Sequence, residues 1–193
     1  MLKKVLLASA IALTASSAAV ASTAPYVGAS IGIVNNTANV KVNGSETTGG
    51  AYRGVPFNLF AGYGGVINQN FYLAGELFGT VGTANISDNA GSTGLKTSYG
   101  LGAAIIPGIM LSDHTLAYVR AGVVRSRFSD ADMSRTGGQF GLGMQTALTQ
   151  NVDLRGEYDF VAYQSKNVNT PFGSVSVAPR SDQFGLGLVY KLD

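Results

Sequence analysis

Residues 152–160 read Val152-Asp153-Leu154-Arg155-Gly156-Glu157-Tyr158-Asp159-Phe160. Side chains of a strand point alternately to its two faces. All four charges of this stretch therefore share one face, and the other carries only Val152, Leu154, Gly156, Tyr158 and Phe160. One such strand fits a soluble sheet as well as a membrane barrel. Repetition decides between them. Seven further segments, 26–34, 55–64, 71–81, 95–106, 116–128, 139–148 and 183–192, alternate in the same way, and below the outer rim none has a charge on its apolar face. The less apolar face is filled by Gly, Ser, Gln and a few opposed charges. Glycine weakens a water-facing strand, but small residues suit a narrow lumen in which Tyr, Phe and Arg reach in from opposite walls. The pattern predicts an all-β fold, an eight-stranded antiparallel up-and-down transmembrane β-barrel. A soluble lipocalin-like barrel that binds a small ligand inside is the alternative.

The start of the chain predicts the route to that membrane. Lys3 and Lys4 precede an apolar stretch from Val5 to Ala18, and Ala19-Val20-Ala21 is a small-x-small cleavage signal. Together these make a secretory signal peptide, residues 1–21, with cleavage after Ala24 as a second option. The stretch is too diluted by Ala, Ser and Thr for a permanent transmembrane helix. Removing it lowers the Lys+Arg total from 13 to 11 against 11 Asp+Glu, so the mature chain has no net charge. That balance gives no support to a nucleic-acid partner. There is no cysteine, which suits an exported barrel whose backbone ladder closes on itself without disulfides. Residues 22–193 form one domain.

Connections between the segments alternate long and short. Outer-membrane barrels have short periplasmic turns and longer extracellular loops, so the ends near 65–70, 107–115 and 149–151 face the periplasm. Connections 35–54, 85–94, 129–138 and 164–181 face outward, and Val40-Lys41-Val42 and Ser174-Val175-Ser176-Val177 extend strands above the membrane as hairpin arms. Aromatics fall where interfacial girdles belong: Phe57, Phe140, Phe160 and Phe184 toward the outer rim, Tyr63, Phe71 and Tyr190 toward the periplasm.

Several features invite a chemical reading. The Gly-x-Gly pairs 100/102, 141/143 and 185/187 lie within strands, without the strand-turn-helix context of a dinucleotide site, and read as lumen spacers. The only histidine, His114, falls in a periplasmic turn, the wrong end for a lipid-modifying enzyme of the outer leaflet. No catalytic, cofactor-binding or metal-ligating set emerges, and no cofactor is expected. Glu76, Arg120, Arg155 and Glu157 lie at similar heights on the lumen face and are expected to pair across it, because buried charge is tolerated when compensated. Lys191 with Asp153 makes a lower pair, and Lys96 with Asp159 an upper one. Arg53, Arg125, Arg127, Arg135 and Arg180 map to the extracellular rim, where guanidinium groups match lipopolysaccharide phosphates.

The opening Tyr26-Val27-Gly28-Ala29-Ser30-Ile31-Gly32, the run Tyr118-Val119-Arg120-Ala121-Gly122-Val123, the stretch Leu154 to Phe160 quoted above and the closing Phe184-Gly185-Leu186-Gly187-Leu188-Val189-Tyr190 resemble the OmpA/OmpX-type, opacity-like small outer-membrane barrels of Gram-negative bacteria. The resemblance implies a monomeric surface protein in contact with outer-membrane lipid and lipopolysaccharide. It implies assembly by the barrel assembly machinery and roles in envelope integrity or adhesion, with a host or matrix ligand at the loops. A small-conductance pore is the main alternative to that non-enzymatic role, and a lipid-modifying barrel enzyme a more distant one. Barrels of this kind usually end in an aromatic residue, whereas this chain ends Tyr190-Lys191-Leu192-Asp193, which predicts slower insertion.

Overall fold

The structure, a computed structural model, describes residues 23–42, 45–88, 97–128, 133–170 and 173–192. The expected signal peptide and Lys96 lie outside them. Among the described residues nine strands follow in chain order: β1 Thr23–Val42, β2 Ser45–Asn68, β3 Phe71–Asp88, β4 Thr97–Ser112, β5 Thr115–Phe128, β6 Met133–Ala147, β7 Val152–Tyr163, β8 Lys166–Thr170 and β9 Gly173–Lys191. Each pairs antiparallel with its neighbour in the order β1-β2-β3-β4-β5-β6-β7-β9, and β1 pairs with β9 from Tyr26↔Lys191 to Val42↔Val175. That last pairing closes an eight-stranded barrel, which removes every sheet edge from the wall. β8 stands apart from the wall and forms a hairpin with the upper end of β9, Lys166↔Val177 to Thr170↔Gly173.

The period-two reading places faces correctly along all eight wall strands. Ile31, Phe57, Leu77, Leu101, Val123, Leu142, Leu154 and Leu186, one from each wall strand, are all exposed, Leu77 at 68% and Leu101 at 66%. In water such a surface would be untenable; in a bilayer it is the contact with lipid. Of the girdle aromatics, Phe57, Tyr63, Phe71, Phe140, Phe184 and Tyr190 are exposed on that surface and Phe160 partly so.

The lumen, in contrast, is packed. Tyr26, Phe60, Tyr72, Ala74, Ile106, Leu116, Tyr118 and Val189 form a buried cluster inside the barrel, with Ile106 at 0% and Val189 at 1% exposure. Glycines make this packing fit. Tyr26 lies directly across the ladder from Gly62, Phe60 from Gly28, Phe78 from Gly102 and Tyr118 from Gly143, and a Cβ at each of these glycines would run into the ring opposite. Two of the Gly-x-Gly pairs thus hold seats for aromatic rings on the adjoining strand.

Strand lengths depart from the expectation above the outer rim. Segment 35–54 reads as a loop by its Asn, Thr, Ser and Gly content, yet β1 runs on to Val42 and β2 begins at Ser45. Likewise β6 begins at Met133, and the expected loop 164–181 contains the β8–β9 hairpin. Beyond the bilayer no lipid demands an apolar face, so pairing persists where the alternation that reveals it fades. Both expected arms, around residues 40–42 and 174–177, are paired strand, Val40↔Val177 and Lys41↔Ser176. At the opposite end the turns are short, Gln69–Asn70 between β2 and β3 and Asp113–His114 between β4 and β5; this is the periplasmic end.

Candidate functional site

Two places concentrate polar chemistry: the middle of the lumen and the outer rim. In the lumen, Glu76 of β3 is the hub. Its Oε2 accepts from Arg155 Nη1 of β7 at 2.7 Å and from the Tyr26 hydroxyl of β1 at 3.0 Å, and its Oε1 accepts from Arg120 Nη2 of β5. Arg120 also pairs with Glu157, Nε to Oε1 3.1 Å, and lies 3.9 Å from Asp159 Oδ1. The Tyr118 hydroxyl donates to Glu157 Oε2 at 2.6 Å. Downward, Arg155 Nε donates to Gln145 Oε1 at 3.0 Å, Gln145 Nε2 donates to Asp153 Oδ2 at 2.7 Å, and Lys191 Nζ sits 3.2 Å from Asp153 Oδ1. A continuous polar chain therefore runs from Lys191 near the periplasmic mouth to Glu157.

Of the lumen residues named from sequence, the structure brings Glu76, Arg120, Arg155, Glu157 and Asp159 together and joins Lys191 to Asp153 through the lower end of the same chain. Asp159 has Arg120 as its neighbour, and its expected partner Lys96 is outside the described residues. Sequence reasoning missed Tyr26, Tyr118 and Gln145. Parity alone carried the signal: Tyr118 shares its face with Arg120, and a buried tyrosine hydroxyl needs a partner. Aromatic rings complete the shell. The Arg155 guanidinium lies 4.6 Å from the Phe60 ring centre and 5.4 Å from that of Tyr118, and Arg120 lies 5.1 Å from that of Phe78. These contacts and the hydrogen bonds offset the desolvation of the buried charges of Glu76, Arg120, Arg155 and Glu157.

On either side of this layer the lumen widens. Above it lies a polar chamber of about 60 Å³, where Thr80 Oγ1 donates to Asn58 Oδ1 at 2.7 Å and Asn58 Nδ2 to Ser30 Oγ at 3.2 Å. Below it, Tyr26, Tyr72, Met110, Leu116 and Val189 line a vestibule of about 640 Å³ facing the periplasm. His114 borders this lower vestibule. Among the described residues no group of three or more His, Cys, Asp or Glu is placed to hold a metal ion.

At the outer rim, Arg53, Arg125, Arg127 and Arg180 are exposed and point outward. Arg125 and Arg127 pair across the ladder with Leu101 and Tyr99, and Arg180 with Ala162, all on the lipid face. Each stands a short step above the apolar band, Arg53 four residues from Phe57 and Arg180 four from Phe184. Arg135 belongs to the other face, since it pairs with Ser126, which is buried toward the lumen. Between the outward arginines, the Tyr158 hydroxyl donates to Asp182 Oδ1 at 2.6 Å.

The chain is similar to several solved structures. Neisserial surface protein A is 18% identical over 87% of this chain and 97% of that one, with a TM-score of 0.46. Ail, the attachment invasion locus protein of Yersinia pestis, is 19% identical over 83% and 97%, with a TM-score of 0.36. OprG from Pseudomonas aeruginosa is 11% identical over 88% and 97%, with a TM-score of 0.44. No curated protein sequence matches the chain. A model of the outer membrane protein beta-barrel domain matches residues 5–191. With a closed antiparallel barrel that is apolar outside and polar at its centre, the chain belongs to the outer membrane protein beta-barrel family and resides in the lipid bilayer of the bacterial outer membrane.

Proposed function

We propose that this protein is a non-enzymatic surface protein. Its barrel is a rigid, sealed anchor for an extracellular β-platform that serves envelope integrity and adhesion. One observation carries the reading: the lumen is filled at mid-height by the Glu76–Arg120–Arg155 layer and the ring cluster beneath it, while β1, β2 and β9 continue beyond the outer rim as paired strands. The built structure is therefore invested outside the membrane and not in a passage through it. The only histidine stands at the periplasmic end, away from the outer leaflet where a lipid-modifying enzyme would work.

The outward arginines supply the link to the envelope. A guanidinium offers two parallel N–H donors to a phosphate, and Arg53, Arg125, Arg127 and Arg180 hold theirs at the height of outer-leaflet headgroups. We infer that they bind lipopolysaccharide phosphates. Insertion itself is the task of the barrel assembly machinery, and the platform is where a host or matrix ligand would engage.

The test has two parts. In planar bilayers the protein is expected to give no sustained current, and stable open-state currents would favour the small-pore reading. Replacing the four outward arginines by Ala is expected to strip co-purifying lipopolysaccharide while leaving the unboiled barrel's faster gel mobility unchanged. Unchanged lipopolysaccharide content would remove the rim from the proposal.

A further inference from the structure

At the top of the lipid face one rung of the ladder crosses four strands. Phe160 of β7 pairs with Asp182 of β9, Asp182 with Asn35 of β1, and Asn35 with Arg53 of β2. Period two puts all four on the outward face, in step with Ile33, Phe57 and Phe184 below them. Arg180, two residues above Asp182 on the same strand, shares that face. A carboxylate thus stands at the upper border of the apolar band, with Phe160 directly across the ladder and Phe184 two residues below.

This carboxylate is fastened but not neutralised. The Tyr158 hydroxyl donates to its Oδ1 at 2.6 Å, which orients the group without adding positive charge. Among the described residues no ion pair joins it to Arg53 or Arg180. Opposite it, Asn35 Oδ1 is shielded from water and accepts no hydrogen bond. A charge at the edge of hydrocarbon and a dehydrated carbonyl oxygen both require a partner. Directly paired residues have Cβ atoms about 5 Å apart, close enough for oxygens of the two side chains to reach one ion.

We propose that Asp182 and Asn35 bind a divalent cation of the Ca²⁺ or Mg²⁺ type, which bridges the protein to the phosphate of an outer-leaflet lipid. Both donors are hard oxygens, as these ions require, and one carboxylate with one amide is enough where phosphate and water complete the shell. Arg53 and Arg180 flank the pair and hold the same phosphate through their N–H donors. The cation also accounts for an acidic residue in a row of arginines. Alone, the Asp182 carboxylate repels the anion that the arginines attract; with the ion on it, the same carboxylate becomes part of the phosphate site. This rests on the reading of the rim arginines as phosphate ligands and adds an ion that the arginines by themselves do not need.

The experiment uses the full mature barrel in nanodiscs of phosphatidylcholine with a minority of phosphatidic acid, whose headgroup is a phosphate monoester. Ca²⁺ is titrated by calorimetry against barrel-free discs of the same composition, and Tb³⁺ emission excited through tyrosine reports whether the ion sits beside Tyr158. Wild type is expected to bind Ca²⁺ above the lipid background and to sensitise Tb³⁺. Asp182→Asn keeps an oxygen for Tyr158 but should abolish both signals. Tyr158→Phe, which only unfastens the carboxylate, should weaken Ca²⁺ binding about tenfold. In pure phosphatidylcholine discs, with or without inorganic phosphate, the wild-type protein should bind Ca²⁺ more weakly. The heat-modifiable gel shift of each variant verifies a folded barrel. Wild-type binding equal to barrel-free discs, or unchanged Ca²⁺ affinity in Asp182→Asn, would overturn the site, and equal affinity in pure phosphatidylcholine discs would overturn the lipid bridge. Lipopolysaccharide retention by the arginine variant is scored in chelator, where no cation contributes, so failure of the cation site and failure of the arginine reading are separate results.

Discussion

Arg155 on β7 donates to Glu76 on β3 over 2.7 Å, joining two strands that are not neighbours in the wall. Glu76 also takes Arg120 from β5, so a single carboxylate meets two guanidiniums arriving from different sides of the barrel, of which Arg120 is shared with Glu157. Glu76→Gln puts a neutral amide in place of that carboxylate, so Arg155 stays buried without the carboxylate it pairs with and Arg120 keeps Glu157. The expected loss is about 3–5 kcal/mol, the range for removing one member of a buried ion pair. Urea unfolding of the bilayer-inserted barrel measures it, and a loss below about 1 kcal/mol would mean that Glu76 is not the hub.

Lys191 gives the contrast. Its ion pair with Asp153 is 3.2 Å long, but the lysine side chain is 33% exposed at the periplasmic mouth, where water and salt screen it. Lys191→Met is expected to cost about 0–1 kcal/mol. The same titration at high and low salt should show the wild-type advantage shrinking as salt rises.

Glycines on the two faces should respond in opposite ways. At Gly143 an added Cβ overlaps the Tyr118 ring, whereas at Gly75 it meets nothing within 4 Å. Gly143→Ala is expected to destabilise by about 1–3 kcal/mol, as overpacking does. Gly75→Ala should be neutral or stabilising, since alanine has less backbone freedom to lose. Equal effects in parallel unfolding titrations would count against the seated-ring packing.

The lipid face sets the fourth expectation. Leu142, on the central stretch of β6, is 54% exposed, and Leu142→Arg should cost about 2–4 kcal/mol near the bilayer midplane. Leu148→Arg, beyond the end of β6 in the periplasmic turn, should cost about 0–1 kcal/mol by the same depth rule. A refolding titration in bilayers that ranks the two the other way would invert the depth assignment.

The wall was legible in the sequence because lipid enforces it. Leu101, Ile105 and Val123 must face outward, so period two is written along every spanning strand. The Gly-x-Gly runs could likewise be recognised as spacers, although which ring sits over which glycine follows from strand register, and Phe78 over Gly102 is fixed only by the β3–β4 pairing. The arms were harder to read. Asn35 to Ala51 has the composition of a loop, and its pairing with β9 and within its own hairpin rests on backbone hydrogen bonds that carry no side-chain signature. Among candidate site residues, parity placed Glu76, Arg120 and Arg155 inside. It did not reveal that Gln145 links Arg155 to Asp153, which depends on how far one strand slides along the next. Arg135 shares the parity of Gln139 and Gly141, but 129–138 has the composition of a connection, so the strand that turns Arg135 away from the other rim arginines was not legible there.

The seating of Tyr118 over Gly143 and of Tyr26 over Gly62 also bears on how such a protein can change over generations. A lipid-facing Leu can become Val or Ile alone, since the neighbouring fluid fills whatever shape is left. A ring and the bare backbone beneath it form one inherited unit spread over two strands. Exchange of large for small at one position is tolerated only with the reverse exchange at the other, so descendants of this chain should drift residue by residue on the outside and by matched pairs within.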